Sequence, residues 1–176
     1  MPKPKFLRHL WAWPLLALTL LALARPAAAA PAAQIVRHPA PDPAAPILVG
    51  VTLPAGTQTL VLSGQVPPVI DAKADRASVA AYGDTATQTV GVFRKIEAAL
   101  KQQGLALGEV VKLTVYLVGD PAKGGKLDFA GFSQGYAQFF GTAQQPNKVA
   151  RTTVQVAALA NPGFLVEIEA TAAKVP

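Results

Sequence analysis

Alternating apolar and polar positions predict five strands in this chain. In the stretch EVVKLTVYLV, apolar residues stand at positions 111, 113, 115 and 117 with polar residues between them, the pattern of a strand half facing a core. Two further strands are predicted over 151–156 and 164–171, and in the last one Leu165 shares a face with Glu167 and Glu169. Upstream, the runs ILVGVTL and TLVLSGQ flank the turn residues Pro54-Ala55-Gly56, which predicts a β-hairpin.

Two segments have the periodicity of helices. The first is expected to begin at Asp84 or Thr85, with Thr85 and Gln88 spaced as a capping box, and to end at Gly104. Its apolar stripe consists of Val90, Phe93, Ile96 and Leu100. Asp128 is placed to cap a second helix that carries Phe129, Phe132, Tyr136, Phe139 and Phe140. Strands mixed with two helices, without strict βαβ alternation, predict an α+β fold with both helices on one sheet face.

The first 46 residues differ in composition from the rest. A basic start, an apolar stretch from Leu10 to Ala24 and the small residues Ala27-Ala28-Ala29 are typical of a secretory signal peptide over 1–29. The apolar stretch is short for a spanning helix, although Arg25 directly after it also fits an uncleaved anchor. Residues 30–46, rich in Pro and Ala, are expected to form an extended tether before a domain over 47–176. The sequence therefore predicts a periplasmic or secreted protein that has no membrane contact after cleavage near Ala29.

Charge and cysteine content narrow the functional classes. Four of the 16 Lys and Arg lie in the signal region, which leaves 12 against 10 Asp and Glu and lowers the net charge from +6 to +2. No basic block with interleaved aromatic residues is present, so we expect no nucleic-acid partner. The chain has no cysteine, which excludes disulfides, thiol chemistry and a lipoprotein anchor.

The catalytic groups available to the domain are limited. The two histidines, His9 and His38, lie outside residues 47–176, so a Ser-His-Asp triad, a histidine-based zinc site and a histidine general base are not expected there. Phosphate-binding glycine loops are also absent from the sequence, and we expect no metal and no cofactor. An enzyme built on this domain must use arginine, carboxylates, hydroxyls and backbone groups.

Two charged residues at strand positions are candidates. Arg151 heads the run RTTVQV, where it is either a solvated strand end or an anchor that pairs with a carboxylate through two donors. Glu167 is either part of a solvated strand face or a group in a cleft that positions or deprotonates water. Ser63-Gly64-Gln65 forms either a plain turn or a point where the backbone approaches a ligand. Tyr136 fits the core better than a ligand pocket on pattern alone.

Five stretches carry a resemblance to a known family. VLSGQVP, then TQTVGVFRKIEAALKQQGLALGEVVKLTVYLV, YAQFF, ARTTVQVAAL and LVEIEA follow in the order and spacing of RidA (YjgF-type) proteins. The resemblance covers roughly residues 46–174, and its C-terminal pair of motifs is the most specific part. RidA proteins are reactive-intermediate deaminases that act on enamines and imines.

The resemblance implies a structure and a set of roles. It implies a chorismate-mutase-like α+β fold, with a mixed sheet and two helices on one face, and a homotrimer with clefts between subunits. It also implies cofactor-free hydrolysis of 2-imino or 2-enamino acids to 2-keto acids and ammonia. Arg151 matches the family arginine that binds the substrate carboxylate, and Glu167 matches the glutamate that handles water. Substrate-binding positions are expected at Ser63, Gly64, Ser133 and Tyr136 together with Arg151.

Three positions depart from the family pattern. Ile47 stands where many members have a tyrosine, Ser133 stands where asparagine is frequent, and the turn GDPAKGGKLDFAG is longer than usual. The first two remove polar groups from the expected cleft. They favour an alternative function, a trimeric binding protein that holds a small carboxylic acid without converting it.

Overall fold

The computed structural model describes residues 1–2 and 33–176. The chain divides into two compact units, Met1–Pro31 and Ala32–Pro176, and the second contains all the strands and helices named below. Its strands and helices are β1 (Val36–Pro39), β2 (Leu48–Thr52), β3 (Gln58–Gln65), α1 (Thr85–Gln102), β4 (Val110–Leu117), α2 (Phe129–Tyr136), β5 (Ala150–Gln155) and β6 (Val166–Lys174).

All six strands form one mixed sheet in the order β1-β2-β5-β4-β6-β3. β5 runs parallel to both of its neighbours, whereas the other pairs are antiparallel. Both helices contribute to a single core against one face of the sheet, which we call the helix face. The opposite face of the sheet is called the open face. The predicted α+β fold with two helices on one face is confirmed.

The core forms where the alternating residues of β4 meet the apolar stripe of α1. Leu113, Val115 and Leu117 are fully buried, as are Phe93 and Ile96 of the helix. Burying aliphatic and aromatic side chains of this size stabilises the fold by roughly 1.5–3 kcal/mol each. The even positions from Lys112 to Tyr116 face the other way, as the alternation predicts. Val110 is the exception: it precedes a register shift with β6 and is fully buried in the core.

The tether expected over 30–46 is wrong in part, because residues 36–39 form β1. This strand pairs with β2 in the register Val36↔Thr52. The Arg37 guanidinium donates to the carbonyls of Gly108, Val110 and Lys148 at 2.8, 3.0 and 2.7 Å, which fastens β1 to the ends of β4 and β5. A Pro- and Ala-rich composition concealed a short strand-forming run, and Pro39 is tolerated because β1 is an edge strand.

The predicted β-hairpin is also wrong. Thr57 N–H does donate to Pro54 O at 3.3 Å, so the chain turns where expected. However, β2 pairs with β1 and β5, whereas β3 pairs with β6 at the opposite edge of the sheet. The turn signal identifies a change of direction but does not identify the partner strand, which is set by contacts distant in sequence.

Asp84 caps α1, and the predicted capping box is not formed. The Asp84 carboxylate accepts from Thr87 N–H at 2.8 Å. Gln88, which is buried, instead donates to the carbonyls of Gly83 and Gly163 and accepts from Leu165 N–H at 2.7 Å. The helix ends as predicted, with Gly104 at a φ of +70°, a conformation that glycine adopts without strain.

Leu165 lies in the core and not with the glutamates. It is 1% exposed and belongs to the core cluster together with Val166, directly before β6 becomes regular. The strand begins at Val166, two residues later than predicted, so the alternation that would place Leu165 beside Glu167 has not yet started. The argument that this leucine helps to bury the glutamate face against a neighbour is therefore removed.

The signal peptide predicted over 1–29 lies almost entirely outside the described residues. Within the part of the chain that the structure describes, no helix is both long and apolar enough to cross a membrane.

Candidate functional site

Arg151 lies at the second position of β5 with its side chain on the helix face. Its strand partner is Leu113, a core residue, and paired residues of neighbouring strands point to the same face. The guanidinium carbon is 4.3 Å from the centre of the Tyr136 ring and 4.9 Å from that of Phe132. Phe129 lies further out at 5.9 Å. The arginine is therefore half-buried against aromatic rings, an arrangement that favours a cation.

Helix α2 supplies those rings because of its spacing. Phe129, Phe132 and Tyr136 stand three and four residues apart, so they line one side of the helix. Asp128 caps the helix as predicted, accepting from Gly131 N–H at 3.0 Å. At Gly135, a Cβ atom would lie 2.7 Å from the Thr89 side chain, so glycine is needed for α2 to approach α1 this closely. This close packing fixes the rings at the head of β5.

Burial leaves the guanidinium incompletely paired. The Arg151 Nη1 atom is buried and finds no hydrogen-bond partner among the described residues. Burial lowers the pKa of Arg151, an effect that Tyr136 partly offsets. The hydroxyl of Thr153, two residues along the same face of β5, is likewise buried and unpaired within the described chain. Unpaired buried donors are costly, so their presence together indicates the side from which an anionic ligand would be bound.

Tyr136 acts on this arginine through its ring, because its hydroxyl is used elsewhere. The hydroxyl donates to Pro46 O at 3.0 Å, which ties the segment before β2 to α2. Burial raises the pKa of Tyr136 to about 12, while the charge of Arg151 works in the opposite direction. Tyr136, predicted as a substrate-binding residue, thus lies beside Arg151 with its ring against the guanidinium.

Glu167 lies on the open face, against Gly64. Its strand partner is Tyr116, one of the outward-facing residues of β4. A Cβ atom on Gly64 would collide with the Glu167 carboxylate, so this glycine provides the space in which the carboxylate lies. The pairing of β3 with β6 shifts register between Leu62 and Gln65, which produces this close approach.

Ser63, the residue before Gly64, lines a cavity of about 300 Å³. Glu169 and Lys112 line the same cavity. The Tyr116 hydroxyl donates to Glu169 Oε2 at 3.1 Å, and this hydrogen bond raises the pKa of Tyr116. The structure therefore brings Ser63, Gly64 and the two glutamates together on the open face.

Arg151 and Glu167 do not meet within one chain. Their partners on β4 are Leu113 and Tyr116, which are three positions apart and point to opposite faces. At about 3.3 Å per residue and about 4.8 Å per strand, the two Cα atoms are on the order of 14 Å apart, with the sheet between the side chains. A site that uses both residues needs the open face of one copy beside the helix face of another.

Ser133 and Ile47 are connected to the Arg151 site through α2. Ser133 is half-buried on α2, and helical spacing sets it beside Phe129 and Tyr136. Ile47 is half-buried and follows Pro46, the residue that Tyr136 binds. Sequence reasoning missed the contribution of Phe132 and the buried hydroxyl of Thr153. The signal in the sequence for the rings around Arg151 was the i, i+3 and i+7 spacing of the aromatic residues after Asp128. In the sequence analysis, that spacing was interpreted as a core-facing helix.

Among residues 1–2 and 33–176, no group of three or more His, Cys, Asp or Glu side chains is placed to hold a metal ion. The site residues offer one cation, carboxylates, hydroxyls and backbone groups. Such a set can bind a carboxylate and position water.

The chain is similar in sequence to a known protein family. The family described as Endoribonuclease L-PSP matches residues 38–174, a range that includes the second half of β1 and every later element. A RutC family protein of Pyrococcus horikoshii is 37% identical over 115 residues, covering 65% of this chain and 79% of that protein.

Solved structures give the same result. A protein of unknown function of the conserved Rid family from Yersinia pestis, YyfB, is similar with a TM-score of 0.59 at 26% identity, covering 80% of this chain and 98% of that one. The YjgF gene product of E. coli has a TM-score of 0.51 at 29% identity, covering 66% and 80% of the two chains. The resemblance seen in the sequence motifs is confirmed at the level of family and fold.

Proposed function

Because the chain belongs to the Endoribonuclease L-PSP (RidA/YjgF) family, we propose that it hydrolyses reactive 2-imino and 2-enamino acids to 2-keto acids and ammonia. The observation that carries this proposal is the half-buried Arg151 guanidinium, which is backed by aromatic rings and keeps one buried nitrogen unpaired within the described residues. A planar, permanently charged donor pair of this kind matches the carboxylate shared by all these substrates.

The reaction itself demands little from the protein. Water adds to the imine carbon, the C=N bond becomes a C–N single bond, and collapse of the resulting carbinolamine forms the C=O bond and releases ammonia. An enamine first takes a proton on carbon to become the imine. Because imines hydrolyse unaided, fixing the carboxylate and placing a water near the imine carbon supplies the needed acceleration.

Glu167 is the proposed water-positioning group. Its carboxylate lies in the space left by Gly64, with Ser63 nearby, and can accept a proton from water. Since this group and Arg151 occupy opposite faces of the sheet, we propose that the protein is a homotrimer and that each cleft combines the arginine of one copy with the glutamate of its neighbour.

A coupled assay tests the activity. An amino-acid oxidase generates 2-imino acids in the presence of the purified protein, and release of 2-keto acid and ammonia is followed over time. We expect release faster than the spontaneous rate, and we expect the Glu167→Gln variant to bind substrate while turning over more slowly. An unaccelerated rate with the wild type contradicts the proposal.

A binding protein for small carboxylic acids is the second candidate. Ile47 and Ser133 replace polar residues common in the family, and the Tyr136 hydroxyl is engaged by Pro46. Calorimetric titration with 2-keto acids separates the two functions. Binding that depends on Arg151, combined with no acceleration of hydrolysis, favours the binding protein.

The near balance of 12 Lys and Arg against 10 Asp and Glu beyond residue 29 favours a small-molecule substrate over RNA, although the family description names an endoribonuclease.

We also propose export, with cleavage near Ala29, on the basis of the N-terminal sequence. Intact-mass measurement of protein from the periplasmic fraction tests the cleavage. A full-length species held in the membrane contradicts it.

A further inference from the structure

A second cavity lies on the outer side of the two helices, away from the sheet. It measures about 500 Å³, within the range of natural ligand pockets. Its floor is the stripe of α1 that runs through Thr87, Gly91 and Ala98. Val90, which was expected in the core-facing stripe, lines this cavity, and the buried valine of the helix is Val92. The segment around Pro68 forms one wall and α2 with the residues after it forms the other.

The charge of this cavity has one sign. Arg94 and Lys95 line it, and no aspartate or glutamate does. The Lys95 ammonium donates to Val66 O at 2.8 Å, so it is held at the wall. Arg94 is exposed. It forms no ion pair among the described residues, where the only ion pair joins Lys123 and Asp128. The cavity therefore offers a free guanidinium to an anion.

The rest of the lining is apolar with two amides. Ile70 is 59% exposed at the rim, an unusual position for a large aliphatic residue, and Val90 and Pro68 continue the apolar surface. Gln134 and Gln138 face the cavity from the α2 side. This composition suits a ligand with an apolar body and one anionic group.

The walls are formed before any ligand arrives. A Cβ atom on Gly91 would lie 2.6 Å from Pro68 Cδ, so the loop is packed directly on the helix backbone. Ile70 N–H donates to Ala81 O at 2.8 Å, which fixes the rim. Preorganisation of this kind lowers the entropic cost of binding.

We propose that this cavity, named here the outer cavity, is a second ligand site that binds a small organic carboxylate with a compact apolar body. It is separate from the Arg151 site. Gln134 is two residues from both Phe132 and Tyr136, and a two-residue step on a helix turns the side chain to the opposite side. The proposal does not depend on the deaminase activity.

Calorimetric titration with 2-naphthoate, with neutral 2-naphthylmethanol as comparison, tests the proposal. We expect the naphthoate to bind more tightly than the alcohol, and Arg94→Gln to weaken naphthoate binding about fivefold, as for an exposed charge contact. Lys101→Gln, which removes an exposed cation of the same helix outside the cavity, is the matched control and leaves the affinity unchanged. Ala98→Trp, which fills the cavity from an exposed helix position, abolishes binding.

An Arg151→Gln variant distinguishes the two sites. Retained naphthoate binding in this variant supports the outer cavity. The proposal is overturned if no binding is measured, if the alcohol binds equally well, if Arg94→Gln and Lys101→Gln behave alike, or if binding depends on Arg151 instead of Arg94.

Discussion

The Arg151 side chain keeps its charge in a half-buried position. Desolvation lowers the pKa of its guanidinium, yet an arginine remains protonated at any working pH. The Tyr136 and Phe132 rings offset part of this cost, and the buried nitrogen without a partner among the described residues leaves part of it uncompensated. A carboxylate that binds here gains a partner already held in place.

Truncating Arg151 is therefore expected to impair turnover strongly. Arg151→Ala should cost about 2–5 kcal/mol of transition-state binding, as for one partner of a buried charge pair. At about 1.4 kcal/mol per tenfold, kcat/KM falls roughly 30- to several-thousand-fold. Arg151→Lys keeps the charge but loses the paired planar donors, so it is also strongly impaired. Keto-acid release measures both effects, and Arg76→Ala, an exposed arginine, is the control. Full activity in Arg151→Ala would show a solvated strand end.

Tyr136→Phe tests the positioning role. Loss of the hydrogen bond to Pro46 leaves a carbonyl without its donor and lowers the free energy of unfolding at neutral pH by about 1 kcal/mol. The folded-state pKa of about 12 lies above the unfolded value near 10, so the wild-type tyrosine stabilises the fold below pH 10 and loses this contribution as the pH rises toward 12. The difference between the two proteins should shrink and then change sign over that interval, because a pKa difference of about two units is worth more than about 1 kcal/mol. Denaturant unfolding from pH 7 to 11.5 measures it, and a constant difference contradicts the assignment.

Gly64 makes a residue-level prediction for the open face. Gly64→Ala displaces the Glu167 carboxylate, whose flexible side chain can move, so kcat should fall more than KM changes while the melting temperature changes little. Gly50→Ala is the matched control, because no atom lies within 4 Å of a Cβ at that position. Steady-state kinetics and thermal melts of both variants test whether the position of the Glu167 carboxylate affects turnover. Equal kinetics for the two variants would separate Glu167 from catalysis.

At the scale of elements, Gln88 connects the first turn of α1 to the segment that leads into β6. Three hydrogen bonds from one buried amide satisfy Gly83, Gly163 and Leu165, which lie up to 77 positions away along the chain. Gln88→Ala removes all three and leaves buried backbone groups unpaired. We expect a loss of about 2–4 kcal/mol in the free energy of unfolding. Denaturant titration measures it, with exposed Gln102→Ala as control, and a loss no larger than that of the control contradicts this role.

The same elements show how far sequence reasoning reached. The alternation of β4, the cap at Asp128 and the stop at Gly104 were read correctly because each depends on local chemistry. The partner of β3 and the role of Gln88 could not be read, since both depend on residues near the end of the chain. In the candidate site, the motifs named Arg151 and Glu167 as candidates, but their separation onto opposite faces follows from strand register, which no motif specifies.

The whole molecule must associate if the proposed site is to exist. Light scattering of the purified protein should give about three times the monomer mass, whereas a monodisperse monomer contradicts the shared cleft.

Subunit mixing tests how the cleft is shared. Arg151→Ala and Glu167→Gln proteins, each impaired alone, are mixed and allowed to exchange subunits. With equal amounts, about a quarter of inter-subunit clefts combine an intact arginine with an intact glutamate, so about a quarter of wild-type activity should return. Native mass spectrometry verifies the exchange. Exchange without recovery would contradict a cleft that combines the two residues.

Arg37 determines how the domain resists a mechanical force applied to the chain ahead of β1. Any tension applied ahead of residue 36 reaches this domain at β1, a four-residue edge strand with one strand partner and one arginine bound to three carbonyls. Val110 begins β4 and Gly108 lies two residues before it, whereas Lys148 lies two residues before β5, the strand of Arg151. The guanidinium therefore acts as a clamp: while its three hydrogen bonds hold, a force on β1 is carried by the segments that lead into β4 and β5, and β1 separates from the sheet only after they break.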